Sequence, residues 1–293
     1  GLVMRHPEGL DPLPAVAKSW TISGDGKTYV FKLREDAVWS NGDPVTASDF
    51  VWSWERMLTP SLGSKYPDML YDVVNAEEFN KVYSSCGNEE DPCDGHVTFS
   101  IEANDDSTIN VTDVSKSGTK YLVRQLEGKA AKNGFVTFKD AKSLGGNITA
   151  EVLNQEYQIA SITNESVYTI EAKDADGNIV KTNSQDIGEG GSKVMAAYRN
   201  LKDFTKVGVK ALGPKSLEVQ LRNPAPYFLG LLAHYTTRPV HRPTIEKFGE
   251  IDTLGSQWTR PGNFIGNGPF TLKEWQLNKV LKVKKNSLYW NAG

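Results

Sequence analysis

Tryptophan is confined to two parts of this chain. All seven tryptophans lie before residue 84 or after residue 198, and the stretch between is rich in Thr, Ser, Asn, Gly and Asp. A change in composition from aromatic to β-branched residues and back is typical of one domain inserted into another, because surface loop tips tolerate insertions. We therefore predict a first domain of residues 1–82 and 199–293, interrupted by a second domain of residues 84–198.

Residues 39–60 predict a turn followed by a helix. Gly42 and Pro44 are residue types that favour a tight turn. Thr46 and Asp49 have the spacing of a capping box, in which a hydroxyl and an acid satisfy the first amides of a helix. The apolar residues that follow recur at spacings of three and four and predict one buried face: Phe50, Val51, Trp54, Met57 and Leu58. Pro60 is expected to end the helix.

Strand patterns flank this helix and fill the middle segment. Residues 28–34 alternate between polar and apolar, residues 207–221 have a hairpin pattern, and residues 266–290 read as two strands across a turn. Between residues 84 and 198, short β-branched runs alternate with turn residues, and Asp176-Gly177 marks a hairpin turn. We predict an α+β chain with an all-β inserted domain.

Composition and motifs argue against several function classes. A net charge of −3 argues against a surface that coats nucleic acid. The sequence has no run of 18 apolar residues, so it predicts no transmembrane helix. The sequence has no nucleophile elbow, Walker loop, zinc-protease motif or dinucleotide fingerprint. We therefore expect neither an enzyme nor a cofactor.

The two cysteines, Cys86 and Cys93, enclose a short loop rich in turn residues. A local disulfide between them is expected if the protein is exported, and two free surface thiols are the alternative. A metal site is not predicted, because the only histidine at zinc-ligand spacing from a cysteine is His96.

The outer segments resemble a known family. Residues 14–58, "PAVAKSWTISGDGKTYVFKLREDAVWSNGDPVTASDFVWSWERML", carry its signature spacing and its W-S-[DN]-G-x-P-V-T-A-x-D-F module. Residues 207–249 and 258–293 continue the match in order. The family is that of the extracytoplasmic oligopeptide-binding proteins of ABC importers, solute-binding family 5.

This resemblance implies a periplasmic-binding-protein-like lobe that binds oligopeptides without catalysis. It also implies ABC-importer membrane subunits as partners and a periplasmic or extracytoplasmic location reached by lipoprotein-like export. The first residues do not read as a signal peptide and look processed or truncated. In such proteins the capped helix supports one wall of the peptide cleft.

Two departures from the family are expected. The match ends at Tyr289-Trp290, so a second large lobe would lie beyond Gly293, and this chain alone would form a partial lobe. Residues 84–198 stand where the family is expected to have a short connection, and they resemble a β-rich module of phage tails and virions. An alternative function follows, in which the insert is the working part of a virion or adhesion protein.

Three residues are carried over from the family as ligand-binding candidates. Tyr66 matches a tyrosine whose hydroxyl contacts the backbone of a bound peptide, and its alternative role is that of a buried packing tyrosine. Asn267 and Gly268 match a turn near the cleft floor, and their alternative role is that of a plain hairpin turn.

Overall fold

The computed structural model describes residues 1–9, 11–84, 96–101, 107–117, 120–123, 132–164, 167–182 and 190–292. The strands are β1 Val3–Arg5, β2 Pro12–Pro14, β3 Ala17–Ile22, β4 Thr28–Leu33, β5 Tyr83–Ser84, β6 His96–Ile101, β7 Thr108–Ser117, β8 Lys120–Val123, β9 Phe135–Lys139, β10 Glu156–Gln158, β11 Ser161–Asn164, β12 Val167–Glu171, β13 Gly190–Arg199, β14 Val209–Gly213, β15 Ser216–Gln220, β16 Phe270–Gln276 and β17 Val280–Lys285. The α-helices are α1 Ala47–Leu58, α2 Ala76–Asn80, α3 Ala150–Leu153, α4 Phe228–Leu231 and α5 Arg242–Glu246.

The chain divides into two compact units. The outer unit consists of Gly1–Asn80 and Asp203–Gly293, and the middle unit consists of Lys81–Lys202. Cys86 and Cys93, the predicted disulfide pair, lie outside the described residues. Within the described ranges, no helix has the length and apolar character needed to cross a membrane.

The outer unit is organised by an antiparallel sheet in the order β14-β15-β4-β3. Along β4, Tyr29, Phe31 and Leu33 are buried while the residues between them are more exposed. This is the alternation predicted for residues 28–34, and it confirms a strand with one face on the core. Helix α1 packs against β14.

Helix α1 starts and ends where the sequence predicts. The backbone N–H of Thr46 donates to Asp49 Oδ2 at 2.7 Å, and the Thr46 hydroxyl donates to the same oxygen at 3.0 Å. The prediction of a single apolar face was wrong, because Trp52 and Arg56 are buried as well, whereas Val51 is partly exposed. Residues far along the chain cover the extra face, as the bond of 3.5 Å from Arg56 Nη2 to the Thr253 carbonyl shows.

Strands β16 and β17 form a separate two-stranded hairpin in the outer unit. Leu272 pairs with Val283 and Trp275 pairs with Leu281, which gives the hairpin one apolar face. Trp275, Leu281 and Val283 are 43%, 66% and 51% exposed, so this face is largely uncovered. The opposite face carries an ion pair between Glu274 and Lys282, at 2.5 Å.

The middle unit is built on a sheet with the central order β10-β9-β13-β6-β7-β12-β11, while β5 pairs with β13 and β8 with β7. Its buried cluster includes Phe99, Phe138 and Tyr168. The predicted turn at Asp176-Gly177 is present, with Gly177 at φ 83° and its N–H bonded to the Asp174 carbonyl at 3.0 Å.

The middle unit departs from the all-β prediction at α3. Thr149 caps this one-turn helix by accepting a hydrogen bond of 3.2 Å from Val152 N, and Val152 and Leu153 are buried. A helix of four residues is too short to show a period of 3.6 in the sequence. The unit is therefore predominantly rather than purely β.

We expect residues 81–202 to fold when expressed alone, since the buried cluster of the middle unit is formed by its own residues. Far-ultraviolet circular dichroism should show a β spectrum with a cooperative thermal transition. A fragment of residues 81–182 is the control, because it lacks β13 and with it the partner of β5, β6 and β9. A random-coil spectrum from residues 81–202 would contradict the expectation.

Candidate functional site

An exposed aromatic cluster lies in the outer unit. The ring of Tyr66 packs edge-on against His234 at 5.5 Å and against Tyr235 at 6.2 Å, measured between centroids. Tyr66 is 39% exposed and Tyr235 is 60% exposed, so Tyr66 is not the buried packing residue of the alternative interpretation. The cluster presents two phenol rings to solvent.

The surroundings of Tyr235 change the pKa of its hydroxyl group. Partial desolvation, and next the proximity of Tyr66, raise the pKa of Tyr235 above its ordinary value. The phenol is neutral at physiological pH, as an ordinary tyrosine is, and it can both donate and accept a hydrogen bond.

Tyr235 also lines a cleft of about 480 Å³. The cleft wall consists of Tyr235, Arg238, Pro239, Val240, Trp258, Phe264, Ile265, Gly266, Asn267, Gly268, Pro269 and Phe270. The structure therefore brings Asn267 and Gly268 to the cleft and places Tyr66 against one of its lining residues. The three candidates predicted from the sequence lie at one place in the outer unit.

Asn267 and Gly268 form a bend that precedes β16, so their alternative interpretation as a plain hairpin turn was wrong. The hairpin turn lies between Gln276 and Val280, where Asn278 has φ 56°. The misassignment arose because Asn-Gly is a strong turn signal at short range. The bend itself has a different role, as part of the cleft wall.

Partly buried hydrogen bonds hold this bend in place. Asn286 is 4% exposed, and its Nδ2 donates to the Gly268 carbonyl at 2.9 Å while its backbone N–H donates to the Pro269 carbonyl at 2.8 Å. On the other side, Ser40 N donates to the Gly266 carbonyl at 2.9 Å, and Gly266 N donates to Ser40 Oγ at 3.3 Å.

The turn that contains Ser40 is itself tied down. Trp39 is 1% exposed and its ring meets the His241 ring at 5.1 Å, while His241 Nε2 lies 3.2 Å from Asp43 Oδ2. The other ring nitrogen of His241 lies 2.7 Å from Thr244 Oγ1. The conspicuous "WSNGDP" turn therefore supports the cleft wall from behind, through Ser40.

The cleft surface is apolar with few polar groups. Trp258 and Phe264 stack with centroids 6.0 Å apart. Asn267 Nδ2 is buried and has no hydrogen-bond acceptor among the described residues. An unpaired buried donor is costly, so this amide would gain from an acceptor supplied by a ligand. Sequence reasoning missed Tyr235, Trp258 and Phe264, although aromatic residues in segments rich in proline and glycine are a general sign of a binding surface.

Among the residues that the structure describes, no cluster of His, Cys, Asp and Glu side chains could hold a metal ion. The polar groups of the cleft are suited to binding. They are an amide, two phenols in or beside the wall and one guanidinium.

Comparison with known proteins identifies the family. A sequence profile of the bacterial extracellular solute-binding proteins, family 5 Middle, matches residues 11–181 and 172–293. The chain belongs to this family.

Individual relatives agree with the profile. The chain is 28% identical over 291 residues to the periplasmic oligopeptide-binding protein OppA of Escherichia coli K12, covering 99% of this chain and 31% of that protein. It is 41% identical over 120 residues to the dipeptide-binding protein DppE of Bacillus subtilis, covering 41% of this chain and 20% of that protein. The chain therefore spans about a third or less of the length of these relatives.

Solved structures have the same fold. The substrate-binding domain of an oligopeptide ABC transporter from Bacillus anthracis matches with 25% identity and a TM-score of 0.53, over 99% of this chain and 32% of that chain. Haemophilus influenzae OppA in complex with RPPGFSPFR matches with 22% identity and a TM-score of 0.54, over 100% of this chain and 33% of that chain.

These matches correct the interpretation of the middle segment as foreign to the family. The two profile matches together include all of residues 84–198, and OppA aligns with 99% of the chain. They give no support to a phage-tail module or to a virion or adhesion function. The misinterpretation arose because short β-branched runs with polar turns are common to many β-rich domains.

We predict that Asn286→Ala destabilises the outer unit by about 1–3 kcal/mol, because the buried Asn286 side chain makes two partly buried bonds, to the Gly268 carbonyl and from the Leu288 N–H, and both are lost. Asn263→Ala is the matched control, since it removes a single exposed bond to the Gln257 carbonyl and should cost under ~1 kcal/mol. Urea unfolding followed by tryptophan fluorescence measures this unit alone, because all seven tryptophans belong to it. Equal losses in the two variants would contradict the prediction.

Proposed function

We propose that this chain is the ligand-binding part of a solute-binding protein that delivers oligopeptides to an ABC importer, without catalysing a reaction. The observation that carries the proposal is an apolar cleft of about 480 Å³ in the outer unit, which is lined by Tyr235 and the Asn267-Gly268 bend. Tyr66 packs against Tyr235 beside it. The relatives include an oligopeptide-binding and a dipeptide-binding protein, and they support the same ligand class.

The chemistry of the cleft suits a peptide. The stacked rings of Trp258 and Phe264 offer apolar area for a side chain, and aromatic rings do so with little loss of entropy. The hydroxyls of Tyr66 and Tyr235 and the amide of Asn267 can bond backbone carbonyls and N–H groups, which every peptide carries. Recognition through backbone groups tolerates variation in ligand sequence.

Further parts of the proposal follow from the family. We propose the membrane subunits of an ABC importer as partners and a periplasmic or extracytoplasmic location. We also propose that the middle unit is a domain inserted into the outer unit, with boundaries near residues 84 and 198. In an exported protein, Cys86 and Cys93 would form a disulfide.

The proposal predicts that the complete gene product binds a synthetic mixture of two- to five-residue peptides. Tyr66→Ala should weaken binding by roughly tenfold, because it removes both a contact ring and the support of Tyr235. Tyr66→Phe should lose less, since the ring remains. Native mass spectrometry identifies the peptides that the protein binds. Isothermal titration calorimetry with those peptides then measures the change in affinity.

Tyr227→Ala is the matched control. Tyr227 is as exposed as Tyr235, at 60%, but it lies outside the cleft wall and its hydroxyl bonds Asp72 at 3.3 Å. Binding by this variant should equal that of the unmodified protein. No peptide binding at all, or an equal loss in Tyr66→Ala and Tyr227→Ala, would overturn the proposed function.

A further inference from the structure

Arg238 is the only charged residue among those that line the cleft. Every lining residue belongs to the described part of the chain. It is exposed, and among the described residues no carboxylate lies within ion-pair distance of its guanidinium. The remainder of the wall is apolar or neutral. A single cation facing an otherwise uncharged cleft gives the cleft a positive sign.

The backbone beneath Arg238 is fixed. Arg238 follows the 3₁₀ turn Tyr235–Thr237, and its N–H donates to the Tyr235 carbonyl at 3.3 Å. Thr237 is 1% exposed, and its hydroxyl donates to the Leu232 carbonyl at 3.0 Å. Pro239, which follows, is buried. The side chain of Arg238 therefore projects from a rigid base.

The polar groups of the cleft require hydrogen-bond acceptors from a ligand. The Arg238 guanidinium carries only donors, and Asn267 Nδ2 is a donor that has no acceptor among the described residues. The tyrosine hydroxyl can act either way, so it does not offset the excess of donors. A ligand that satisfies this cleft must bring acceptors, and beside a guanidinium the best acceptor is a carboxylate, which it can bond bidentately.

We propose that Arg238 selects solutes that carry a carboxylate next to an apolar group, with the carboxylate at Arg238 and the apolar group on the Trp258–Phe264 stack. The inference rests on the proposed function and narrows its ligand class. The carboxylate has two sources in a peptide, the free C-terminus and an acidic side chain. The aromatic wall strengthens the pair, because it keeps water away from the charges once a ligand is bound.

The test uses the complete gene product and three peptide mixtures of two to five residues. The first has free C-termini, the second is the same mixture as C-terminal amides, and the third adds acidic side chains to the amides. Affinities are measured for the unmodified protein and for Arg238→Gln. We expect Arg238→Gln to weaken binding of at least one carboxylate-bearing mixture by roughly tenfold and to leave the neutral amides within about twofold.

Arg260→Gln is the matched control. Arg260 follows the 3₁₀ turn Gln257–Thr259 with φ −77° and ψ 151°, close to the φ −71° and ψ 144° of Arg238, and it is also exposed. It lies outside the cleft wall. Its substitution removes the same charge from the same unit and should leave all three affinities unchanged.

The outcomes are distinct. If the first mixture loses affinity in Arg238→Gln, the C-terminus is the group recognised, and if the third does, an acidic side chain is. Equal losses in Arg238→Gln and Arg260→Gln, or equal losses for amides and acids, would overturn the inference while leaving peptide binding intact. If the unmodified protein binds none of the mixtures, the proposed function fails and the inference fails with it.

Discussion

The pairing of β4 with β15 is the constraint on which the outer unit depends. Residues 28–32 meet residues 216–220 in antiparallel register, although the whole middle unit lies between them in the chain. Closing so long a loop costs conformational entropy, but the cost rises only slowly with length. The middle unit lowers this entropic cost further. Its first strand, β5, pairs with its last strand, β13, where Tyr83 lies opposite Tyr198, and so the two ends of the unit lie close together.

The cleft depends on this closure in turn. The cleft wall is formed by residues that follow β15. The turn that supports it contains Ser40 and Asp43 and follows β4 in the chain. Two short polar contacts, Ser40 with Gly266 and Asp43 with His241, hold the two halves of the outer unit at the site. A rigid wall matters for binding, because a pre-formed surface spends less entropy on ordering when a ligand arrives.

The sequence was informative wherever the signal was local. The cap at Thr46 and the stop at Pro60 predicted α1, and the alternation along residues 28–34 predicted β4. The burial of Arg56 and Trp52 could not be predicted, since it depends on residues nearly two hundred positions away. Strand order in the middle unit was likewise hidden, because a period of two identifies a strand without naming its partner.

The same division holds at the candidate site. Tyr66, Asn267 and Gly268 were named through a family resemblance. The structure places Asn267 and Gly268 in the cleft wall and Tyr66 against Tyr235, a residue of that wall. Arg238 was not named, because an exposed arginine has no distinguishing pattern in a sequence. Its position became informative only when the fold surrounded it with apolar residues and left no carboxylate beside it among the described residues.

The hairpin of β16 and β17 has a consequence for the behaviour of the chain in solution. Among the described residues it is a two-stranded sheet, so each strand presents one row of backbone N–H and C=O groups without a partner strand there, and its exposed face carries Trp275, Leu281 and Val283. Open edges beside an apolar face are templates for adding strands from other molecules. Concentrated samples of these 293 residues will therefore favour edge-to-edge association at this hairpin, and solubility will depend more on these three side chains than on the net charge of −3.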